Sequence, residues 1–228
     1  MATVNEVLIP KLSPYHYLFP DPRSASKQGL LAWGEELTPD RVIAAYRLGI
    51  FPWYNAGDPV LWWSPDPRLV LIPSEIKISR SLRQSMKKYR VTFDNDFHSV
   101  IEHCRMVRER TWILDEVIET YEVLHVRDLA HSVEVYEGDE LVGGLYGICM
   151  GKVFCGESMF SLKRDASKVA LATLCEKLRQ YDFEMIDCQI PSDHLKRLGA
   201  KEMRREEFLV RLESGIEKSS GFVTWRQM

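Results

Sequence analysis

The sequence predicts an α+β protein, and three features of the chain indicate this class. Residues 131–160 contain three runs in which side chains alternate in character, which is typical of strands in an antiparallel meander. Residues 166–181 repeat apolar side chains at helical spacing, and the β-rich run 183–190 follows them. Residues 19–73 are instead rich in proline and aromatic residues. We therefore expect a mixed sheet with helices, preceded by a region of different composition.

The same patterns divide the 228-residue chain into three parts. Residues 1–90 are expected to form a small N-terminal domain rich in aromatic residues and proline. Residues 91–213 are expected to form the mixed-sheet domain. A polar tail, residues 214–228, ends the chain. This length is sufficient for a sizeable buried core.

In the N-terminal part, one helix is expected among loops. Thr38 and Pro39 form an N-cap and first-turn pair, and Gly49 ends the helix. Four tryptophans flank it in sequence: Trp33, Trp53, Trp62 and Trp63. Such rings either fill the core of a loop-rich domain or form a wall of a binding cleft, and the sequence leaves both interpretations open.

A second helix is predicted from about Ser79. It places Arg80, Arg83 and Lys87 on one face, which we call the basic stripe. A solvated helix face has the same appearance. The alternative is a track for phosphate groups, which this spacing suits.

The remaining elements follow from local signals. Gly138-Asp139 and Met150-Gly151 are the expected turns of the meander, and Asp165 is expected to cap the helix after it. The other expected elements are a strand at 90–93, helices at 96–109 and 114–127, a short helix ending at Gly199, and a final strand at 206–212.

Three polar residues interrupt the apolar runs of the sheet domain. Glu157 lies within the strand 153–160, and alternation along 183–190 places Asp187 and Gln189 on one face. An acid within a buried strand costs free energy unless it is hydrogen-bonded or has a chemical role. The residues alone allow either a structural network or a reactive site.

Composition excludes several classes of protein. The net charge of −3 means that any contact with nucleic acid must be local. No apolar run approaches the roughly 18 residues of a membrane span, and the N-terminus lacks signal-peptide order, so we expect a cytoplasmic protein without membrane contact. The five cysteines form no CxxC pair and the histidines no HExxH motif, so neither a disulfide framework nor a metal site is indicated. His131 and His194 are interpreted as structural.

The order of elements in the second domain resembles the N-acetyltransferase superfamily. Enzymes of that superfamily hold coenzyme A with a glycine-rich loop before a helix. Residues 161–165 contain no glycine that would let backbone amides approach a pyrophosphate. We therefore expect no coenzyme A, and no other cofactor is indicated.

Eight separated motifs resemble one family in the same order. They are GIFPWY, LWWSPDPR, ISRS, TWI, AHSVEVY, ELVGGLYG, FCGESMFS and IDCQ, and the resemblance as a whole covers about residues 15–212. The family is the leucyl/phenylalanyl-tRNA–protein transferases. The resemblance implies transfer of Leu or Phe from aminoacyl-tRNA to the N-terminal Arg or Lys of a protein, which marks that protein for degradation by the N-end rule. It leaves Met open as a third donor.

The resemblance also implies roles for individual residues. Asp187 and Gln189 correspond to the family's catalytic pair, with Gln189 bonding the attacking amine and Asp187 orienting Gln189 or accepting a proton. Glu157 corresponds to an acid that meets the positive end of the acceptor. Trp112 matches the position that stacks on the terminal adenine, and Trp53 matches another cleft position.

The donor side chain and the tRNA body would have separate contacts. The expected walls of the aminoacyl pocket are Leu145, Phe154 and Met159. Given the resemblance, the basic stripe is expected to contact the tRNA backbone. The chain departs from the family pattern at residues 33–36, where a glycine pair followed by Asp is usual, and at Leu145, where Met is common.

Two other functions remain possible from the sequence. An aminoacyl-tRNA-dependent transferase acting on a different amine would use the same basic stripe and the same IDCQ motif. A non-catalytic module binding RNA or peptide would use the three polar residues only as a structural network.

Overall fold

A computed structural model describes residues 9–107, 111–221 and 224–227 of the chain. Within these residues the helices are α1 (Pro39–Arg47), α2 (Arg80–Met86), α3 (Phe97–Met106), α4 (Asp115–Val126), α5 (Ala166–Gln180), α6 (Asp193–Arg197) and α7 (Arg205–Ile216). The strands are β1 (Leu30–Gly34), β2 (Phe51–Pro52), β3 (Val60–Trp63), β4 (Arg68–Leu71), β5 (Arg90–Phe93), β6 (Ala130–Glu137), β7 (Glu140–Met150), β8 (Val153–Ser161), β9 (Met185–Asp187) and β10 (Lys201–Met203). The α+β class is confirmed.

The strands form two sheets. A small antiparallel sheet has the order β1-β3-β2, so the N-terminal part contains strands as well as the expected helix. The large sheet has seven strands in the order β10-β4-β9-β8-β7-β6-β5. It is mixed because β8 and β9 run parallel. β4 precedes residue 90 in the chain, yet it belongs to the large sheet. The division into domains at residue 90 stays a prediction.

The central meander has the predicted strands β6, β7 and β8. Its strands pair antiparallel, and α5 crosses over to β9. Asp165 occupies the N-cap position of α5 but makes no capping bond with its side chain. Its carboxylate instead accepts hydrogen bonds from Ser85 and Lys168, which link α2 to the start of α5.

The structure corrects the elements expected at 206–212 and 96–109. The expected strand at 206–212 is wrong, because this segment lies within α7. Its buried side chains, Phe208, Leu209 and Leu212, have helical spacing, whereas Val210 is 63% exposed. The helix expected at 96–109 ends at Met106, and residues 108–110 lie outside the described part of the chain.

Apolar clusters cover both faces of the large sheet. One cluster joins α3, α4 and the small sheet to one face, and the other joins α5 and α2 to the opposite face. The boundary expected at residue 213 falls inside α7, and Trp225 beyond it is buried in the second cluster. Within the described residues, no helix combines the length and the apolar character needed to cross a membrane.

Candidate active site

A cavity of about 460 Å³ opens between the small sheet, β7, β8, β9 and α5. It is lined mostly by apolar side chains, with a few polar side chains among them. The side chains expected at the donor site all line it: Trp53, Trp112, Leu145, Phe154 and Met159. Glu157 and Gln189 line it too, whereas Asp187 does not. A mostly apolar cavity with a few converging polar groups is the usual form of a ligand site.

A bulge in β8 directs Glu157. Along the β7–β8 ladder, Tyr146 pairs with Ser158 and Gly147 pairs with Gly156, so Glu157 is an additional residue without a partner across the ladder. A bulge of this kind bends the strand and reverses the alternation of its faces. Cys155 before the bulge and Phe160 after it therefore belong to the same apolar cluster. This explains why the alternation in the sequence is interrupted at Glu157.

Two tyrosines hold the Glu157 carboxylate. Tyr46 of α1 donates to Oε1 at 2.5 Å, and Tyr121 of α4 donates to Oε2 at 3.0 Å. Gln189 Nε2 also donates to Oε1, at 3.1 Å. Burial raises the pKa of Glu157 to about 7, although the tyrosine hydrogen bonds oppose that rise. Burial and then the nearby Glu157 charge raise the pKa values of both tyrosines, so they stay protonated donors.

The raised pKa of Glu157 predicts a specific dependence of stability on pH. Between about 4.5 and about 7 the folded state holds a proton on Glu157 that the unfolded state releases. This contribution to stability is therefore complete below about 4.5 and is lost as the pH rises through about 7. Glu157→Gln removes the titration. Chemical denaturation should show the wild type losing stability relative to this variant from pH 5 to about 8; a constant difference would contradict the assignment.

The backbone of Gln189 adopts an uncommon conformation. Its φ is +64°, in the left-handed region that non-glycine residues rarely enter. Its N–H donates to Asp187 Oδ1 at 2.9 Å, and its carbonyl accepts from the Leu69 N–H at 3.3 Å. The strand expected at 183–190 is therefore wrong in length, since β9 ends at Asp187. Asp187 and Gln189 remain neighbours through this hydrogen bond and not through strand alternation.

A buried ion pair lies behind Gln189. Arg68 of β4 donates to Asp187 through Nε at 2.8 Å and Nη2 at 2.6 Å, and both side chains are 1% exposed. The Arg68 guanidinium also packs between the rings of Phe51 and Phe208, at 4.8 and 4.5 Å. Burial opposes the charged form, but the Asp187 carboxylate holds the pKa of Arg68 above its ordinary value. Both oxygens of Asp187 thus accept hydrogen bonds from Arg68, and Oδ1 also accepts the one from the Gln189 backbone.

The residues of the basic stripe lie away from the cavity. Arg80, Arg83 and Lys87 are exposed on α2 and at its C-cap, and none of them forms an ion pair with another described residue.

The tryptophans divide between the two interpretations that the sequence left open. Trp62 is fully buried, whereas Trp53 is 42% exposed at the cavity.

A group of potential metal ligands lies outside the cavity. Asp94, His125 and His131 bring ligand atoms within 4.8 Å of one another. His131 Nδ1 lies 2.8 Å from Asp94 Oδ2, and His125 Nδ1 lies 2.8 Å from the Ala130 carbonyl oxygen. These ring nitrogens already have hydrogen-bond partners, so we interpret the group as a hydrogen-bonded structural cluster.

Comparison with known proteins identifies the family. A sequence profile described as "Leucyl/phenylalanyl-tRNA protein transferase" matches residues 70–213, and the profile of the N-terminal domain of the same family matches residues 35–66. The chain belongs to the leucyl/phenylalanyl-tRNA protein transferase family. Glu157, Asp187 and Gln189 lie within the part matched by the first profile.

Curated members of the family are similar over nearly the whole chain. A leucyl/phenylalanyl-tRNA–protein transferase from Sulfurimonas denitrificans is 52% identical over 209 residues, covering 90% of this chain and 92% of the relative. One from Legionella pneumophila strain Lens is 55% identical over 206 residues, covering 89% and 93%. Among solved structures, a GCN5-related N-acetyltransferase from Kribbella flavida matches 76% of this chain and 66% of its own, with a TM-score of 0.40 and 12% identity.

Two parts of the site were not identified from the sequence. Arg68 lies 119 residues from Asp187, within a region whose proline and aromatic content gives no sign of a partner in the sheet. Tyr46 and Tyr121 lie at helical spacings that are typical of core residues. No local signal distinguishes them, because their function depends on how the helices pack against β8.

Proposed function

We propose that this protein transfers Leu or Phe from aminoacyl-tRNA to the N-terminal Arg or Lys of a protein. The observation that supports this most directly is the hydrogen-bonded pair Glu157–Gln189 on the wall of an apolar cavity, in a chain that belongs to this family. The new N-terminal residue would mark the acceptor for degradation by the N-end rule. Because aminoacyl-tRNA is the donor, the proposal places the reaction in the cytoplasm.

The reaction forms an amide and breaks an ester. The acceptor's α-amine, as the free base, attacks the carbonyl that joins the amino acid to the ribose of the terminal adenosine, and the ribose hydroxyl leaves. The amine must be positioned and must lose a proton. The ester is already activated, so positioning supplies much of the rate enhancement.

Gln189 is the residue that we assign to positioning the amine. Its Nε2 donates to Glu157, which leaves its Oε1 to accept an N–H from the attacking amine. Asp187 accepts a hydrogen bond from the backbone of Gln189, is 1% exposed and does not line the cavity, so we assign it to orienting Gln189. In its ionised form Glu157 attracts the positive charge of the acceptor's Arg or Lys.

The apolar part of the cavity is the proposed donor pocket. Leu145, Phe154 and Met159 line it, and a Leu or Phe side chain without a branch at Cβ would occupy it. Trp112 is half-buried at the cavity, and we assign its ring to stacking on the terminal adenine.

Trp112→Ala is expected to weaken donor binding while leaving the fold largely intact. Loss of one stacked base costs about 1–3 kcal/mol, or roughly fivefold to 150-fold in the Kd for aminoacyl-tRNA. Trp33→Ala is the matched control, because Trp33 is also half-buried but does not line the cavity. Titration of Phe-tRNA and a thermal melt measure both effects. A large loss of stability with unchanged donor affinity would show that Trp112 is a core residue.

The basic stripe is expected to contact tRNA phosphates. The triple variant Arg80→Gln, Arg83→Gln and Lys87→Gln should weaken tRNA binding and reduce the slope of log K against log salt concentration by about 2–3. Arg179→Gln is the control, since Arg179 is an exposed arginine near the far end of α5. An unchanged salt slope in the triple variant would show that the basic stripe is only a solvated helix face.

A donor and acceptor panel tests the proposed activity. Labelled Leu-, Phe- and Val-tRNA are each offered with peptides that differ only in beginning with Arg, Lys or Asp. Transfer of Leu and Phe to the Arg and Lys peptides alone is expected. Transfer to a free or lipid-linked amine instead would favour a different acceptor, and tight tRNA binding without any transfer would favour a binding module.

A further inference from the structure

Trp225 packs behind the wall of the donor pocket. It is 1% exposed, and its ring centroid lies 5.4 Å from that of Phe154, which lines the cavity. On its other sides it stacks on His131 at 4.4 Å and lies 6.3 Å from Phe93. Trp225 lies beyond residues 70–213, which the family profile matches. A residue of the expected polar tail is therefore part of the core next to the cavity.

Several contacts attach this C-terminal segment to the body of the protein. The Lys152 N–H donates to the Gly215 carbonyl, and Lys152 Nζ donates to the Ser220 carbonyl at 2.7 Å. Arg226 Nε donates to the Asp94 carbonyl at 3.1 Å, directly beside Trp225. These bonds fix the segment on both sides of residues 222–223, which lie outside the described part of the chain.

The Phe154 ring also lies close to the backbone of β7. A Cβ at Gly147 would lie 2.6 Å from Phe154 Cζ and 2.2 Å from the Cys155 carbonyl oxygen, so the backbone of β7 approaches the ring closely. The ring is thus in contact with the β7 backbone at Gly147 as well as with the Trp225 ring. Removing Trp225 would open space beside the Phe154 ring, and a ring beside a new cavity relaxes partly toward it.

We propose that Trp225 sets the depth of the donor pocket by holding Phe154 in place, so that it is a positioning residue for donor selection. The inference rests on the proposed function, in which Phe154 is a wall of the aminoacyl pocket. The tryptophan touches no reacting atom. Trp225 affects which donor side chain the pocket accepts. A deeper pocket favours the longer Phe side chain over Leu.

The test compares both donors in Trp225→Ala. The ratio of kcat/KM for Phe-tRNA to that for Leu-tRNA should rise about fivefold or more, through the donor KM. The KM for an Arg peptide should stay unchanged. Trp225→Phe should restore most of the wild-type ratio. Leu178→Ala is the matched control, since Leu178 is fully buried in the same cluster but does not line the cavity.

Binding of 3′-amide analogues of Phe-adenosine and Leu-adenosine gives a second readout without transfer. If the wild type binds both analogues and transfers neither amino acid, the proposed activity fails, while a changed binding ratio in the variant still supports the pocket role. If Trp225→Ala does not fold, Trp225→Leu replaces it with the same expected direction. Equal changes for both donors, or a change confined to the acceptor KM, would overturn the inference.

Discussion

Arg68→Ala is expected to lower the free energy of unfolding by about 3–5 kcal/mol, because it leaves the Asp187 carboxylate buried without its partner. Both side chains are 1% exposed, so the Asp187 carboxylate would remain buried after its partner is removed. The variant should also lose transfer, since Asp187 supports the backbone of Gln189. Urea denaturation and a transfer assay below the melting temperature measure the two effects.

The matched control for this variant is an exposed ion pair on the neighbouring strand. Lys201 of β10 pairs with Glu75 at 2.6 Å, and its side chain is 71% exposed. Lys201→Ala should cost about 0–1 kcal/mol. The double variant Arg68→Met with Asp187→Leu should recover much of the stability but not the transfer. Equal stability losses for Arg68→Ala and Lys201→Ala would contradict the structural role of the buried pair.

Gln189→Ala is expected to slow transfer about a hundredfold to a thousandfold, the usual effect of removing one positioned hydrogen-bonding group from an active site. Stability should change little, because the hydrogen bond from the backbone N–H to Asp187 remains. Cys188→Ala serves as the neighbouring control, since Cys188 lines the same cavity but bonds neither Glu157 nor Asp187 through its side chain. The measurement is the single-turnover rate at saturating Phe-tRNA.

Variants at Glu157 and Gln189 distinguish a catalytic role of this pair from a purely structural one. In a structural network, Gln189→Ala would reduce stability and leave the rate of the folded fraction unchanged. In the proposed site, the rate falls while the melting temperature is maintained. The Glu157→Gln variant, which keeps the shape of the side chain, should show a raised KM for the Arg peptide through loss of the negative charge.

Sequence patterns predicted the parts of the fold that are set by neighbouring residues. The meander β6–β8 follows from period-two alternation and two turns, and α5 follows from helical spacing after it. The motifs placed Glu157, Gln189 and the donor-side residues, all of which line one cavity. Their roles remain predictions.

Contacts between distant segments could not be predicted in this way. Arg68 and Asp187 meet only because β4 inserts beside β9 in the sheet, which no local pattern reveals. The segment 206–212 alternates well enough to resemble a strand, but packing of Phe208 and Leu212 favours a helix. The local composition predicts a polar tail around Trp225, since its burial depends on a distant surface formed by β6 and β8.

The central claim is that an α-amine held beside Gln189 attacks an aminoacyl ester in the apolar cavity. One single-turnover experiment tests it, with Leu-tRNA labelled in the amino acid, a peptide beginning with Arg, and the same peptide acetylated at its α-amine. Mass spectrometry follows the product for the wild type and for Gln189→Ala. We predict Leu attached to the α-amine of the free peptide, none on the acetylated peptide, and a greatly reduced rate in the variant. Label on the acetylated peptide, or an unchanged rate in a folded variant, would contradict the account.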